Sequence, residues 1–303
     1  MPNLIKAIVL SMFVLLTNYV FGQGCSDAGF CTINSFKPKG EDTLQTTHNH
    51  FKIGTSVGKA DNNIIAWGSY LEYHRQLGSQ FGIDVKLTSL AQIGNNITSF
   101  GISDVFVNTN YKATKKLNLT AGIKIPLSTA NHTQNNLPLP MDYQASLGTF
   151  DLIVGIGYQI NKLQLVAALQ QPLTQNNNQF TPSNHSSTSE LSKFQSTKNF
   201  QRSGDILLRV AYPFMLSQKL RFTPSILPIY HLTNDKYTDE LNVERVIKDS
   251  QGLTLNGNVF LDYELNPKNT LQLNVGMPFM VRESRPDGLT RSFIVSVEYK
   301  INF

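Results

Sequence analysis

Carboxylates and bases recur in this 303-residue chain at separations of two: Glu72 with His74, Asp84 with Lys86, Asp262 with Glu264, and Glu298 with Lys300. Asp104, Lys112, Lys124, Asp151, Arg209 and Arg221 stand singly between them, each inside a run of alternating apolar and polar residues. Side chains two apart on a strand share a face, so each pair projects to one side. An unpaired charge is costly away from water, and mixed signs on one face suit an enclosed lumen in which acids and bases neutralise one another. Most of these residues are then expected to fill and round that lumen. The functional reading is a polar path for a small-molecule solute.

Other chemistry finds less support. No Gly-x-Ser-x-Gly elbow appears, and no serine, histidine and carboxylate cluster by spacing, so no catalytic residue is expected. His48 and His50 share a face, but two ligands fall short of a metal site, and neither metal nor cofactor is expected. Asn96, Asn118, Asn131 and Asn184 head Asn-x-Ser/Thr triplets that an Asn-, Ser- and Thr-rich chain produces by chance. The net charge of +5 is modest and its bases are scattered, with no footprint for nucleic acid.

The elements that must position these residues are strands. The closing stretch carries Phe293, Val295, Val297, Tyr299, Ile301 and Phe303 at every second position, against Ser292, Ser296, Glu298, Lys300 and Asn302. Comparable alternation recurs from Phe51 onward in runs of about ten residues, the length that spans a bilayer as a tilted strand. The clearest hairpin turns at Asn161-Lys162 and sets Ile160 opposite Leu163. Short turns near Gly78, Lys115, Asn161, Ser217 and Pro267 alternate with longer connections at 92–98, 128–145, 175–202, 233–250 and 282–290. A soluble sandwich also alternates along its strands, but it has no reason to sort its loops by length. The pattern predicts an all-β fold: a transmembrane antiparallel β-barrel of about 12 strands, both termini periplasmic, in the outer membrane of a Gram-negative bacterium. A hydrophobic content of 41% agrees, because a barrel offsets its lipid face with a polar lumen.

Ahead of the barrel, Lys6 and the apolar run 7–16 read as a signal peptide over residues 1–22, with an uncleaved anchor as the alternative. Residues 23–50 form an amino-terminal periplasmic segment, and residues 51–303 the barrel. Cys25 and Cys31, the only cysteines, favour a local disulfide in an oxidising compartment, with lipidation of Cys25 as the other possibility. The segment after them is either a periplasmic tail or a plug inside the barrel. In the plug reading Lys37, Lys39, Glu41 and Asp42 pair with lumenal charges such as Glu72, Asp262, Glu264 and Lys300.

Between Leu119 and Leu173, the elements Ala-Gly-Ile-Lys124-Ile-Pro126 and Tyr143-Gln-Ala-Ser-Leu-Gly148-Thr-Phe-Asp151-Leu-Ile-Val-Gly-Ile-Gly-Tyr158 resemble the outer-membrane transporter family linked to the meta-pathway of phenol degradation. That family is similar to the long-chain fatty-acid channels. Leu127-Ser128 stand where it has a glycine. The Cys-Ser-Asp-Ala-Gly-Phe-Cys stretch and Gln23 resemble Bacteroidetes outer-membrane proteins. The resemblance implies a passive channel for hydrophobic or aromatic solutes, an amino-terminal hatch, and shape or pore-lining roles for Lys124, Pro126, Gly148 and Asp151. A sealed accessory barrel whose loops bind a partner and a membrane-embedded hydrolase are the rival readings. The partners expected are outer-membrane lipid, the barrel-assembly machinery, which would read Val295, Val297, Tyr299, Ile301 and Phe303, and the solute. Deleting Phe303 should lower the amount of heat-modifiable folded protein in the outer membrane, as gel mobility would show. Normal assembly without it would contradict the closing-strand reading.

Overall fold

The computed structural model describes residues 30–38, 49–288 and 291–303. The signal peptide, Cys25, Lys39, Glu41, Asp42 and His48 lie outside them. One sheet of thirteen strands dominates, of which the two-residue piece Phe214–Met215 is a minor part. The other twelve form the wall: β1 His50–Ala60, β2 Ile65–Leu77, β3 Phe81–Gly94, β4 Ile97–Lys112, β5 Leu117–Pro126, β6 Asp151–Ile160, β7 Leu163–Pro172, β8 Asp205–Ala211, β9 Leu220–His231, β10 Gly252–Asn266, β11 Asn269–Met280 and β12 Arg291–Asn302. Each pairs antiparallel with its sequence neighbours, and β1 pairs with β12, so the wall closes and leaves no edge. Closure matters in lipid, where an unpaired backbone group finds no water.

The period-two pattern becomes the two faces of this wall. Trp67 is 55% exposed and Phe100 70% exposed on the outside, in rows with Ile53, Ile123, Ile156 and Val297. Their strand neighbours Ala66, Gln92, Lys124, Asp151 and Glu298 are buried within. In the closing strand Val297, Ile301 and Phe303 are exposed outward and Val295 and Tyr299 half-buried, with Phe303 stacked on Tyr73 at 6.3 Å between ring centroids. Apolar side chains directed outward from a closed barrel meet acyl chains, the arrangement of an outer-membrane barrel.

The connections 78–80, 113–116, 161–162, 212–219 and 267–268 gather at one end with Asn49 and Phe303, and the short turns 61–64 and 95–96 and the long connections 127–150, 173–204, 232–251 and 281–288 gather at the other. The long connection expected at 92–98 is a correction. β3 runs on to Gly94, β4 starts at Ile97, and Asn95 and Asn96 alone make the turn, with φ of 52° and 61°. Two left-handed residues form the tight hairpin turn that matches strand twist, and asparagine tolerates that conformation. The Asn161 turn is as expected, with Ile160 opposite Leu163.

The seam between β8 and β9 has the fewest paired residues in the wall. β8 has only seven residues, and pairing lapses between Leu207↔Ile229 and Val210↔Ile226. The Tyr212 N–H donates to the Pro224 carbonyl across this seam. Backbone groups alternate sides along a strand, so Pro224 and Pro228 both turn their missing donors toward β8.

The long connections fold over the loop-end mouth. Tyr143, Leu139, Phe180, Leu191 and Phe194 pack with Ala60, Ile64 and Ile97 at the strand ends. Gln92 donates to the Gln144 carbonyl at 2.7 Å and Ser146 to Asp104 at 2.7 Å, so connection 127–150 reaches the inner wall. A buried ionic clasp ties the other connections together. Asp287 accepts from Arg282 and lies 3.4 Å from Arg202, while Arg285 holds Asp61 at 2.8 Å. Burial disfavours charge on Asp287, but Arg282 and Arg202 outweigh it and hold the carboxyl below the usual carboxylate range.

Val259→Arg and Ile156→Arg should each cost about 2–4 kcal/mol of barrel stability, while the isosteric inward Asn258→Asp should fold normally; equal losses in urea titrations would contradict the facing. Because its pKa is depressed on folding, Asp287 contributes stability that is present above the ordinary aspartate value and lost only as pH falls through the lower folded one. The cap should therefore resist proteolysis at pH 5 as at pH 7. Asp287→Asn, which takes away the carboxylate shared by Arg282 and Arg202 and leaves Arg282 with Asp235 at 3.6 Å, should expose the connections to cleavage at both.

Candidate functional site

The lumen is occupied by the short segment Phe30–Pro38, two single turns of 3-10 helix at Phe30–Thr32 and Asn34–Phe36. Its apolar side chains Cys31, Ile33 and Phe36 pack on Phe106 of β4, Ile153 of β6, Ala168 of β7, Leu207 of β8 and Leu227 of β9. Gly155 makes room for this contact: a Cβ there would stand 2.4 Å from the Phe36 ring. Cys31 is held in a disulfide, and Cys25, its expected partner, lies outside the described residues.

The segment's polar groups are held by the charged inner wall. Arg209 donates to the carbonyl of Phe36 and, at 3.1 Å, to that of Cys31. Lys86 donates to the Thr32 hydroxyl at 2.6 Å and to its carbonyl at 3.3 Å. Asn34 donates to Asp84 at 3.0 Å and accepts from Lys52 at 2.8 Å. Lys37 meets Glu298 at 2.7 Å and the Tyr70 hydroxyl at 3.2 Å. The expectation for Lys37 is thus corrected: its partner is Glu298, because Lys52 takes Glu72 at 3.1 Å and Arg221 takes Asp262 at 3.1 Å.

Glu72, Asp84, Lys86, Asp104, Lys124, Asp151, Arg209, Asp262 and Glu298 are all buried on the inner wall. His74 and Lys300 are half-buried and Glu264 is exposed near the turn end. The structure divides them into two groups. Lys124 and Asp151 pair at 3.0 Å with Thr149 beside both, under the loop cap with Asp104. Glu72, His74, Asp84, Lys86, Arg209, Glu298, Lys300, Asp262 and Glu264 surround the inward segment or the space below it. Lys52 and Tyr70 belong to this group, and their parity with His50 and Glu72 was a usable signal that the sequence reading missed. Arg202 and Asp287 sit in connections, where no periodicity marks them.

Three cavities adjoin the segment. One of about 450 Å³ opens toward the turn end, bordered by Asn34, Lys37, His50, His74, Lys300 and Glu264 among others. A second, of about 50 Å³, lies higher, between the segment and the wall of β1, β2, β10 and β12, bordered by Thr32, Tyr70, Lys86, Arg209, Phe260 and Ile294. A third, of about 50 Å³, lies beside Ser35 and Lys37 against Asn118 of β5, Tyr158 of β6 and Leu165 of β7. The segment's apolar side chains therefore seal against β4 and β6 to β9 around Phe36, with space on the opposite side and near the turn end. His50, His74 and Asp84 bring donor atoms within 4.8 Å of one another, with the imidazoles stacked at 4.6 Å. A divalent cation there would have to displace Asp84 from His74 at 2.8 Å and from Asn34.

No protein-family model and no curated protein matches the sequence. Solved structures do match in fold. An outer membrane channel from Pseudomonas putida F1 superposes with a TM-score of 0.62 at 11% identity, over 88% of this chain and 100% of that one. The NanC porin gives a TM-score of 0.44 at 12% identity, over 84% of this chain and 98% of that one. The toluene transporter TodX of P. putida gives 0.44 at 12%, over 86% and 92%. The chain is similar to the first in fold.

Proposed function

We propose that this protein is a passive outer-membrane channel for a small solute, with hydrophobic or aromatic molecules as its class, and that Phe30–Pro38 is its plug. The observation that carries the reading is how the segment is held. One side packs on an apolar patch, but the other hangs from single side chains, Arg209, Lys86, Lys52 and Asp84, beside open space. An inner wall designed only as filler has no need of a separate peptide attached through its carbonyls. The likeness of Lys124-Ile-Pro126 and Gly148 to Asp151 to the phenol-degradation transporters supports the same assignment, as does the channel from P. putida. The solute's course on this reading runs past the 50 Å³ cavity into the 450 Å³ one, along the side the segment leaves unsealed.

Insertion from the periplasm by the assembly machinery belongs to this proposal, with the aromatic closing strand as the element recognised. One observation favours the accessory-barrel reading instead: the loop cap is tightly packed through Tyr143, Phe180 and Phe200. The hydrolase reading gains nothing from His231, whose two ring nitrogens are taken by Asp205 at 2.7 Å and Asp235 at 2.8 Å.

Removing residues 26–40, or reducing the disulfide, should raise single-channel conductance in planar bilayers without lowering the yield of folded barrel. Gly155→Ala, whose new methyl collides with Phe36, should do the same to a smaller degree. Unchanged, near-zero conductance in all three would favour the sealed barrel.

A further inference from the structure

Lys86 and Arg209 are buried cations with no carboxylate within 4 Å among the described residues. Glu72, the cross-strand neighbour of Lys86, is engaged by Lys52 at 3.1 Å. The positive charge of both is answered instead by neutral acceptors of the inward segment: the carbonyls of Cys31 and Phe36, and the hydroxyl and carbonyl of Thr32. Arg209 also keeps its Nε buried without a hydrogen-bond partner. A guanidinium offers five N–H donors in a fork matched to a carboxylate, and two carbonyls use that geometry poorly.

Both cations border the 50 Å³ cavity, where Lys37 is the third base and where no carboxylate contributes to the lining. Aromatic rings complete the site. The Lys86 ammonium stands 4.1 Å from the centroid of Tyr70, and the Arg209 guanidinium 5.8 Å from that of Phe260. Ile294 adds an apolar side chain on the β12 wall. Below, the larger cavity carries six lysines and arginines against three carboxylates, and its Lys112, Lys219 and Lys300 have no carboxylate within 4 Å among the described residues.

We propose that the cavity between Lys86, Arg209, Tyr70 and Phe260 is a binding site for a small organic carboxylate with an aromatic body, for which the carbonyls of Cys31, Thr32 and Phe36 stand in when the plug is seated. The inference rests on the channel reading and names its solute class. A carboxylate brings a full negative charge where the carbonyls bring partial ones, and charge-assisted bonds are about twice as strong as neutral ones. The anion therefore competes with the plug for the same donors. Its head fits the existing space, and its ring takes the place of the Cys31–Thr32 turn between Tyr70 and Phe260 as that turn withdraws. Binding and unplugging become one event, and the excess of bases below draws the anion onward.

The test uses the full-length folded barrel in detergent, with benzoate as the probe and benzamide as its neutral counterpart, measured by equilibrium dialysis. Benzoate should bind more tightly than benzamide, and Lys86→Met and Arg209→Met should each weaken benzoate by about tenfold or more, the loss of one charge-assisted bond, with little change for benzamide. Heat-modifiability on gels reports whether each variant folds. Should Arg209→Met fail to fold, Lys86→Met decides the matter. In bilayers under a KCl gradient, the protein lacking residues 26–40 should show an anion-selective reversal potential that Lys86→Glu moves toward cations. Equal binding of benzoate and benzamide, or benzoate binding that ignores folded Lys86→Met, overturns the site. Conductance without benzoate preference leaves the channel and removes the inference, whereas benzoate binding without conductance leaves the site and removes the channel.

Discussion

The diameter of a twelve-stranded barrel is the constraint on which the rest of this structure depends. Eight strands enclose a space that side chains can fill, and sixteen or more enclose a wide aqueous channel. Twelve strands do neither. Something besides the wall must occupy the lumen, and here a peptide of the same chain does so. Every charged residue that faces it then has two tasks, to find a counter-charge and to hold the peptide.

The inner wall meets these tasks unevenly. At the loop end, Lys124 and Asp151 pair at 3.0 Å, Asp104 accepts from the Ser103 and Ser146 hydroxyls, and the cap covers all three. Around the inward segment, Glu298 is shared between Lys37 at 2.7 Å and Lys52 at 3.5 Å, and Asp84 between His74 and Asn34. Lys86 and Arg209 are left to backbone and hydroxyl oxygens. A wall optimised for stability alone would pair or remove such cations, because a buried charge without an opposite one is expensive. Their survival beside a cavity is the physical reason to read this part of the lumen as a binding surface.

Much of this was legible in the sequence. A period of two sets the facing of every residue on a strand, so Glu298 and Lys300 were assigned to one face and Phe293, Val297 and Ile301 to the other without coordinates. The turn at Asn161-Lys162 was legible through its spacing. The turn at Asn95-Asn96 was not, because Gly94-Asn95-Asn96 with Gln92, Thr98 and Ser99 near it also reads as a loop. The pairing of lumenal charges was beyond the sequence for a different reason. Parity tells which side a residue faces, but not its height in the barrel relative to distant strands, and Lys37 could not be matched to Glu298 across 261 positions. Whether the segment lies inside was equally open, since its apolar residues Ile33 and Phe36 suit either a plug or a tail.

The central claim is that Phe30–Pro38 lies within the folded barrel. Hydrogen exchange followed by mass spectrometry on the detergent-folded protein tests it most directly. Phe36 and Lys37 N–H groups both donate to the Ile33 carbonyl, at 2.9 and 3.2 Å, inside a buried pocket. Peptides covering residues 30–38 should exchange far more slowly than an unstructured chain and approach the protection of the neighbouring strands. Exchange at the rate of a free peptide, with the barrel strands still protected, would place the segment outside the lumen and contradict the account.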